Sequence, residues 1–523
     1  MAERTGSSIQ SPLAGISAWT RTRAASVSAF VDDVEPVRTG ALGSILVLLG
    51  SLQPNSPFTS KIPGSWFIGV SSEPHPGSLL VEILANAVVY LGLILSGIAW
   101  VRLVRLARGG VLPRSWWVIF VAWVLPLMVA GPLFSRDVYA YAAQGQMVTQ
   151  GINPYHAGPN ALGASPFLAT VDPLWGNAPA PYGPLFLMLD GALVSLSGHS
   201  PLWSVVLLRL VALASVAATG VAVQRIAHRL GRNDALALAL TVLNPVFLYT
   251  LASAGHNDAL MVALMLLGID QFLAGRKLLG IVIVALASAV KIPAIVAVGF
   301  LGFHWSEQGR LGERIRSALL ATPIAGAVLW GLGAVSGLGM GWLPALSTPG
   351  SVYSFEDPLV TMGYAVGWIL HAVGLGVGPS GVITVLRDLA DLVLLFVAGV
   401  VLAGSRASAM LRGLGVVLLA SVVLGPVIWP WYLTWSISVL AIEAGELTSS
   451  FLVLVTVAAL PIDLLGLPTV LAWIGYAGLA VVVHRHWNHV RAFVDDSIAQ
   501  ARARWEELAF VLPWSRVRAR DLR

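Results

Sequence analysis

From Ala41 onward the chain is a succession of apolar runs separated by short polar connections. The runs fall at about 40–53, 79–101, 115–134, 201–224, 234–253, 257–274, 316–336, 381–403, 411–425, 427–443, 451–465 and 468–483. Most approach the roughly 20 apolar residues that take a helix across the hydrocarbon of a bilayer, and each is predicted to span. One further run, Leu279 to Phe303, is interrupted by AVKIPA, which places Lys291 and Pro293 among apolar residues. Two half-helices of about a dozen residues meeting at Lys291 fit that pattern, because broken helices are tolerated where backbone lines a polar cavity. The stretches 182–198 and 360–378 are predicted to be re-entrant or surface-lying.

The polar connections sort by sign. Arg102, Arg105, Arg108 and Arg114 crowd one; Arg225, Arg229 and Arg232 another; Arg276 and Lys277 a third; Arg310, Arg314 and Arg316 a fourth; Arg406 and Arg412 a fifth. The positive-inside rule puts these on the cytoplasmic face. With the chain starting inside, the third span then delivers SRDVYAYAAQGQMVTQGINPY, residues 135–155, to the outer face. Composition agrees with a multi-pass membrane protein: 57% of residues are hydrophobic and 11% charged, against about 25% charged in soluble domains. The net charge of +5 reflects those basic connections and not a nucleic-acid surface. Without cysteine, disulfide and thiol chemistry are excluded.

Residues 1–39 are polar and mixed in charge, and no signal peptide is expected in this cytoplasmic N-terminal segment. Residues 40–484 form the membrane domain, with 135–181 as its first large external loop. The tail 485–523 mixes arginines with Trp487, Val490, Val494 and Trp505, the pattern of an amphipathic helix on the inner leaflet.

The topology collects polar residues from distant segments at the outer face: Asp137, the GHND of 255–258, Lys291, the loop from Gly341 to Pro358, and WPWY at 429–432. Ionisable groups converging at one membrane boundary suggest a site. Ser135 is placed to cap a helix with Asp137 in its first turn, and Asp137 is then either a base or only a favourable partner for the helix dipole. Val138, Tyr141, Ala142 and Val148 form a stripe suited to the membrane interface. Lys291 lies too deep to snorkel and requires an anion, either a lipid phosphate or a protein carboxylate. His256 lacks the spacing of a zinc site. Trp175 and Tyr182, in WGNAPAPYGP, suit the CH faces of a sugar, while Trp429, Trp431 and Tyr432 also fit an interfacial aromatic belt.

In this order and across nearly the whole membrane region, SRDVYAYAAQGQ with GINPY, APAPYGPLF, GHNDALMVALM, AVKIPA and WPWYLTW resemble the polyprenol-phosphomannose-dependent α-1,6-mannopyranosyltransferases of mycobacterial and corynebacterial lipomannan synthesis. The resemblance implies an all-α polytopic C-type glycosyltransferase fold with roughly 12–15 transmembrane or re-entrant helices. It further implies a catalytic acid residue in the first external loop, matched by Asp137, and a polyprenyl-phosphate-mannose donor used outside the cytoplasm of the plasma membrane. The acceptor implied is a mannan or phosphatidylinositol-mannoside glycolipid. Lys291, Arg136 and His256 are then expected at the donor phosphate, and Tyr139, Trp175, Tyr182, Asn257, Asp258, Trp431 and Tyr432 at the sugars. No metal or other cofactor is expected, since a lysine can balance a departing monophosphate. A transporter or flippase of a lipid-linked sugar remains the rival, although its site belongs at mid-membrane, reachable from both sides. Transfer of another pentose or hexose from a lipid phosphate is also open.

Overall fold

The computed structural model describes residues 31–53, 56–59, 66–67, 70–71, 78–306, 309–354, 357–464, 477–478, 480–481, 484–485 and 487–511. Most of the expected span at 468–483, the segment before Val31 and the tail beyond Val511 lie outside them. The architecture is all-α. Helices Leu79–Arg108, Pro201–Arg229 and Leu311–Ser336 are long and apolar enough to cross a membrane singly. Shorter apolar helices, among them Pro36–Ser51, Trp116–Val129, Lys277–Ser288 and Glu446–Leu460, account for other predicted runs. Helix Leu79–Arg108 exposes Leu80, Ile83, Leu84, Leu91 and Ile94 while burying Val89, Trp100 and Leu103. Helix Pro379–Gly404 likewise exposes Leu389, Leu392, Leu395 and Phe396. Such wide apolar faces are what hydrocarbon, not water, surrounds.

Three breaks in the helices shape the site. The run 279–303 breaks where AVKIPA predicts it: helix Lys277–Ser288 ends, Lys291 is extended, and helix Ile295–Phe303 resumes. The carbonyls freed at the break are satisfied by the YGP segment, for Gly183 N–H donates to Val290 O at 3.0 Å and Leu185 N–H to Ala289 O at 3.0 Å. Glycine is required at 183, because a Cβ there would lie 2.2 Å from the Ala289 oxygen. GHND forms the second break. Segment Phe247–Ser253 meets helix Asp258–Leu273 at a bend of 106°, turning through Gly255 at φ +81°, which side chains disfavour.

The third break corrects the sequence expectation. Residues 234–253 are not one span: helix Asp234–Leu240 stops, and a turn precedes Phe247–Ser253. Pro245 has no N–H to continue the helix. Asn244 stabilises the interruption, its oxygen accepting from Val246 N–H at 2.8 Å and its amide donating to Thr456 Oγ1 at 2.8 Å. Residues 427–443, in contrast, are helical without a gap from Pro430 to Glu443, the α-helix Leu433–Leu440 being flanked by the tighter turns Pro430–Tyr432 and Ala441–Glu443. The stretches 182–198 and 360–378 contain helices of only 13 and 15 residues, Pro184–Leu196 and Pro358–Ala372.

One end of the bundle gathers the basic connections. Asn233 donates to Ala107 O, and Arg108 to Ser450. Arg225 and Arg229 both pair with buried Asp270, and Arg504 of helix Trp487–Val511 donates to Ala403 O and Ser405 O. A helix of 30 residues such as Leu79–Arg108 is about 45 Å long, so this end is well separated from the other. The other end holds the loops bearing Asp137, Lys291 and WPWY.

Candidate active site

Helix Asp137–Thr149 begins at the carboxylate itself. Asp137 N–H donates to Ser135 Oγ at 3.2 Å, but the N-cap position falls on Arg136, whose side chain makes no capping bond, so Ser135 stands one residue ahead of the cap expected of it. The helix does not lie in the membrane interface: Val138 through Met147 are buried on every face. Asp137 has neighbours on two sides. Trp175 Nε1 donates to Oδ1 at 3.0 Å, and His256 Nε2 stands 3.5 Å from Oδ2. His256 Nδ1 lies 2.6 Å from Thr250 O, and because a carbonyl only accepts, that nitrogen carries a proton. Nε2 is therefore left to face Asp137 and, at 3.0 Å, Ser135 Oγ. Trp431 stacks flat on the imidazole with ring centroids 4.0 Å apart.

Lys291 has its anion within the protein. Its Nζ donates to both oxygens of Asp258 at 2.9 Å, and Asp258 is fully buried. Trp435 Nε1 donates to the same carboxylate. The ammonium also sits 4.3 Å from the centre of the Tyr432 ring, a cation–π contact. Two of its three N–H groups serve Asp258, which leaves one for another acceptor.

The two centres open on one narrow cavity. Asp137, Ala140, Gln144, Trp175, Tyr182, Lys291, Thr348, Pro349, Trp429 and Tyr432 all line it. Other expected site residues lie elsewhere. Arg136 turns away, donating to Thr170 O at 2.9 and 3.2 Å and approaching Asp172 at 4.0 Å. Tyr139 is 2% exposed within the core. Asp258 and Trp431 are buried and do not line the cavity. Asn257 is buried with neither amide atom hydrogen-bonded. Among the described residues no three His, Cys, Asp or Glu side chains gather as a metal cage.

Two family models match the chain: alpha-(1->6)-mannopyranosyltransferase, N-terminal domain, over residues 37–307, and MptB C-terminal domain over 360–484. The chain belongs to the α-(1→6)-mannopyranosyltransferase family. Alpha-(1->6)-mannopyranosyltransferase A of Mycobacterium tuberculosis is 34% identical over 430 residues, 78% of this chain and 80% of that one. A second alpha-(1->6)-mannopyranosyltransferase of M. tuberculosis is 30% identical over 463 residues, covering 77% of each chain. Alpha-(1->6)-mannopyranosyltransferase B of Corynebacterium glutamicum is 26% identical over 463 residues, 78% of this chain and 73% of its own. No solved structure matches.

In this family member the geometry adds residues that sequence reading did not single out. Gln144 lies seven positions after Asp137, on the same helical face with Ala140 between, and its buried amide oxygen has no partner. Its signal is that helical period from Asp137, masked by the apolar residues of the same helix. Trp435 stands inside the WPWYLTW motif. Arg387 interrupts the apolar run of Pro379–Gly404, and a charge inside that run was its signal. It donates to Gly350 O, Val352 O and Pro426 O at 2.5, 2.9 and 2.7 Å, tying together the two loops that supply Thr348, Pro349 and Trp429 to the cavity.

Proposed function

We propose that the protein transfers mannose from a polyprenyl-phosphate-mannose donor to a growing α-1,6-mannan acceptor, with inversion, at the extracytoplasmic face of the plasma membrane. The observation that supports it best is that a carboxylate and an ammonium line one cavity walled by Trp175, Tyr182, Trp429 and Tyr432. Separate acid–base and charge-balancing groups on one cavity are what a single displacement at an anomeric carbon needs. The names of the relatives supply the sugar and the linkage. The basic end of the bundle reads as cytoplasmic by the positive-inside rule, which supports an outward-facing cavity.

In this reading the acceptor 6-hydroxyl attacks the anomeric carbon of a β-mannosyl phosphate. Its proton passes to Asp137 as the carbon–oxygen bond to phosphate breaks, giving an α linkage and a polyprenyl phosphate. Lys291 gives its remaining N–H to a phosphate oxygen. Asp258 and Trp435 hold the ammonium in place, so Asp258 acts as a positioning residue and not as a sugar contact. Trp175 orients Asp137, and His256, locked by Thr250 and Trp431, holds the Ser135 hydroxyl that accepts from the Asp137 N–H. Gln144 and Tyr182 remain to meet sugar hydroxyls and CH faces.

Purified protein incubated with radiolabelled mannosyl phosphopolyprenol and an α-1,6-mannobioside tests this directly. A labelled trisaccharide, cleaved by an α-mannosidase specific for 1,6 linkages, is the expected product. Absence of transfer from a protein shown to be folded would sink the reading.

A further inference from the structure

Beside the Asp137 cavity lies a second, more open one of about 460 Å³ that no part of the chemistry above uses. The two share Ala178, Pro179 and Thr348 as a common wall. Its lining comes from the external loops: Tyr155, Leu174 and Asn177 on one side, Pro344, Ala345, Ser347 and Ser351 on the other. We propose that this groove holds the acceptor oligosaccharide, binding the mannose rings that lie behind the ring whose 6-hydroxyl reaches Asp137. The proposal rests on the transfer reading and names the second half of its substrate.

Three features argue for a neutral polyhydroxyl chain. First, the lining holds no Asp, Glu, Lys, Arg or His, so an anionic lipid head group finds no counter-charge there. Second, amide and hydroxyl groups alternate with flat apolar surface, the mixture that sugar rings present in return. Leu174 is 50% exposed, and the Asn177 oxygen accepts from Asn160 at 2.8 Å, which leaves the Asn177 NH₂ to donate. Third, the two sides are fixed before anything binds. Thr348 Oγ1 donates to Pro179 O at 3.0 Å, Asn153 donates to Leu338 O at 3.3 Å, and Gly341 abuts Tyr155 so closely that a Cβ would lie 2.7 Å from the ring's own Cβ. A preformed groove of this volume, filled as ligand sites usually are, accommodates about two hexose rings.

The absence of native cysteine permits a direct test that needs no donor. Ser347 is exposed, so Ser347→Cys in detergent is labelled by a maleimide, and the labelling rate is followed with added sugars. An α-1,6-mannotetraose should slow labelling several-fold and saturably, whereas methyl mannoside and α-1,4-glucotetraose should not. Arg232→Cys, at the basic end, should be indifferent to all three. Adding Asn177→Ala should leave the unprotected labelling rate unchanged, which reports an intact fold, and weaken protection about tenfold, the loss of one hydrogen bond. Labelling of Ser347→Cys unaffected by millimolar mannotetraose overturns the groove even if the wild-type protein transfers mannose. Protection by mannotetraose in a protein that never transfers leaves the groove standing and removes the catalytic reading instead.

Discussion

Replacing Lys291 by Met separates its two partners, Asp258 inside the protein and the proposed donor phosphate. At 2.9 Å the ion pair is worth about 6 kcal/mol at an effective dielectric of about 20. Desolvation offsets part of that attraction. Removing the ammonium from a fully buried carboxylate still costs about 3–5 kcal/mol, because among the described residues the stranded charge keeps Trp435 alone as a side-chain donor. Lys291→Met alone should therefore lower the unfolding temperature in detergent, and its inactivity would say little about phosphate. The double variant Lys291→Met with Asp258→Asn removes the stranded charge, and most of the lost stability should return. Transfer of mannose should not return with it, and added polyprenyl phosphate should stabilise the wild type but not the double variant. The assay is thermal unfolding alongside transfer rate for wild type, both single variants and the double. A double variant that regains both stability and transfer would refute the phosphate role and reduce Lys291 to the neutraliser of Asp258.

The remaining predictions are simpler. Asp137→Asn keeps the size and loses the base, so transfer should fall about 100- to 10,000-fold, on the order of 3–5 kcal/mol of barrier, with donor affinity retained; near-normal turnover would return Asp137 to a capping role. Gly183→Ala forces a Cβ to within 2.2 Å of the Ala289 oxygen and should destabilise by about 1–3 kcal/mol, seen as a lower melting temperature together with reduced transfer, since the same contact supports Lys291. For orientation, Asn160→Cys and Ser347→Cys should react with an impermeant maleimide in intact cells and Arg232→Cys should not; all three positions are exposed. Labelling of Arg232→Cys from outside would invert the topology and move the site to the cytoplasm.

Local pattern alone determined a good deal of this protein. Apolar runs announced the helices, clustered arginines marked one end of the bundle, and AVKIPA announced a break at Lys291, because a proline beside a lysine in an apolar run leaves few other solutions. Tertiary structure decided which charges meet. Arg136 and Asp137 are adjacent in the chain, yet one turns to Thr170 and the other to Trp175 and His256, 38 and 119 positions onward. Lys291 finds Asp258 only because two broken helices bring their interruptions together. Periodicity reports the environment on one helix's own faces, so it could place these residues at a common end of the membrane. Hydrogen bonds between distant segments depend on how several helices pack at once, and a buried carboxylate takes whichever donor that packing presents.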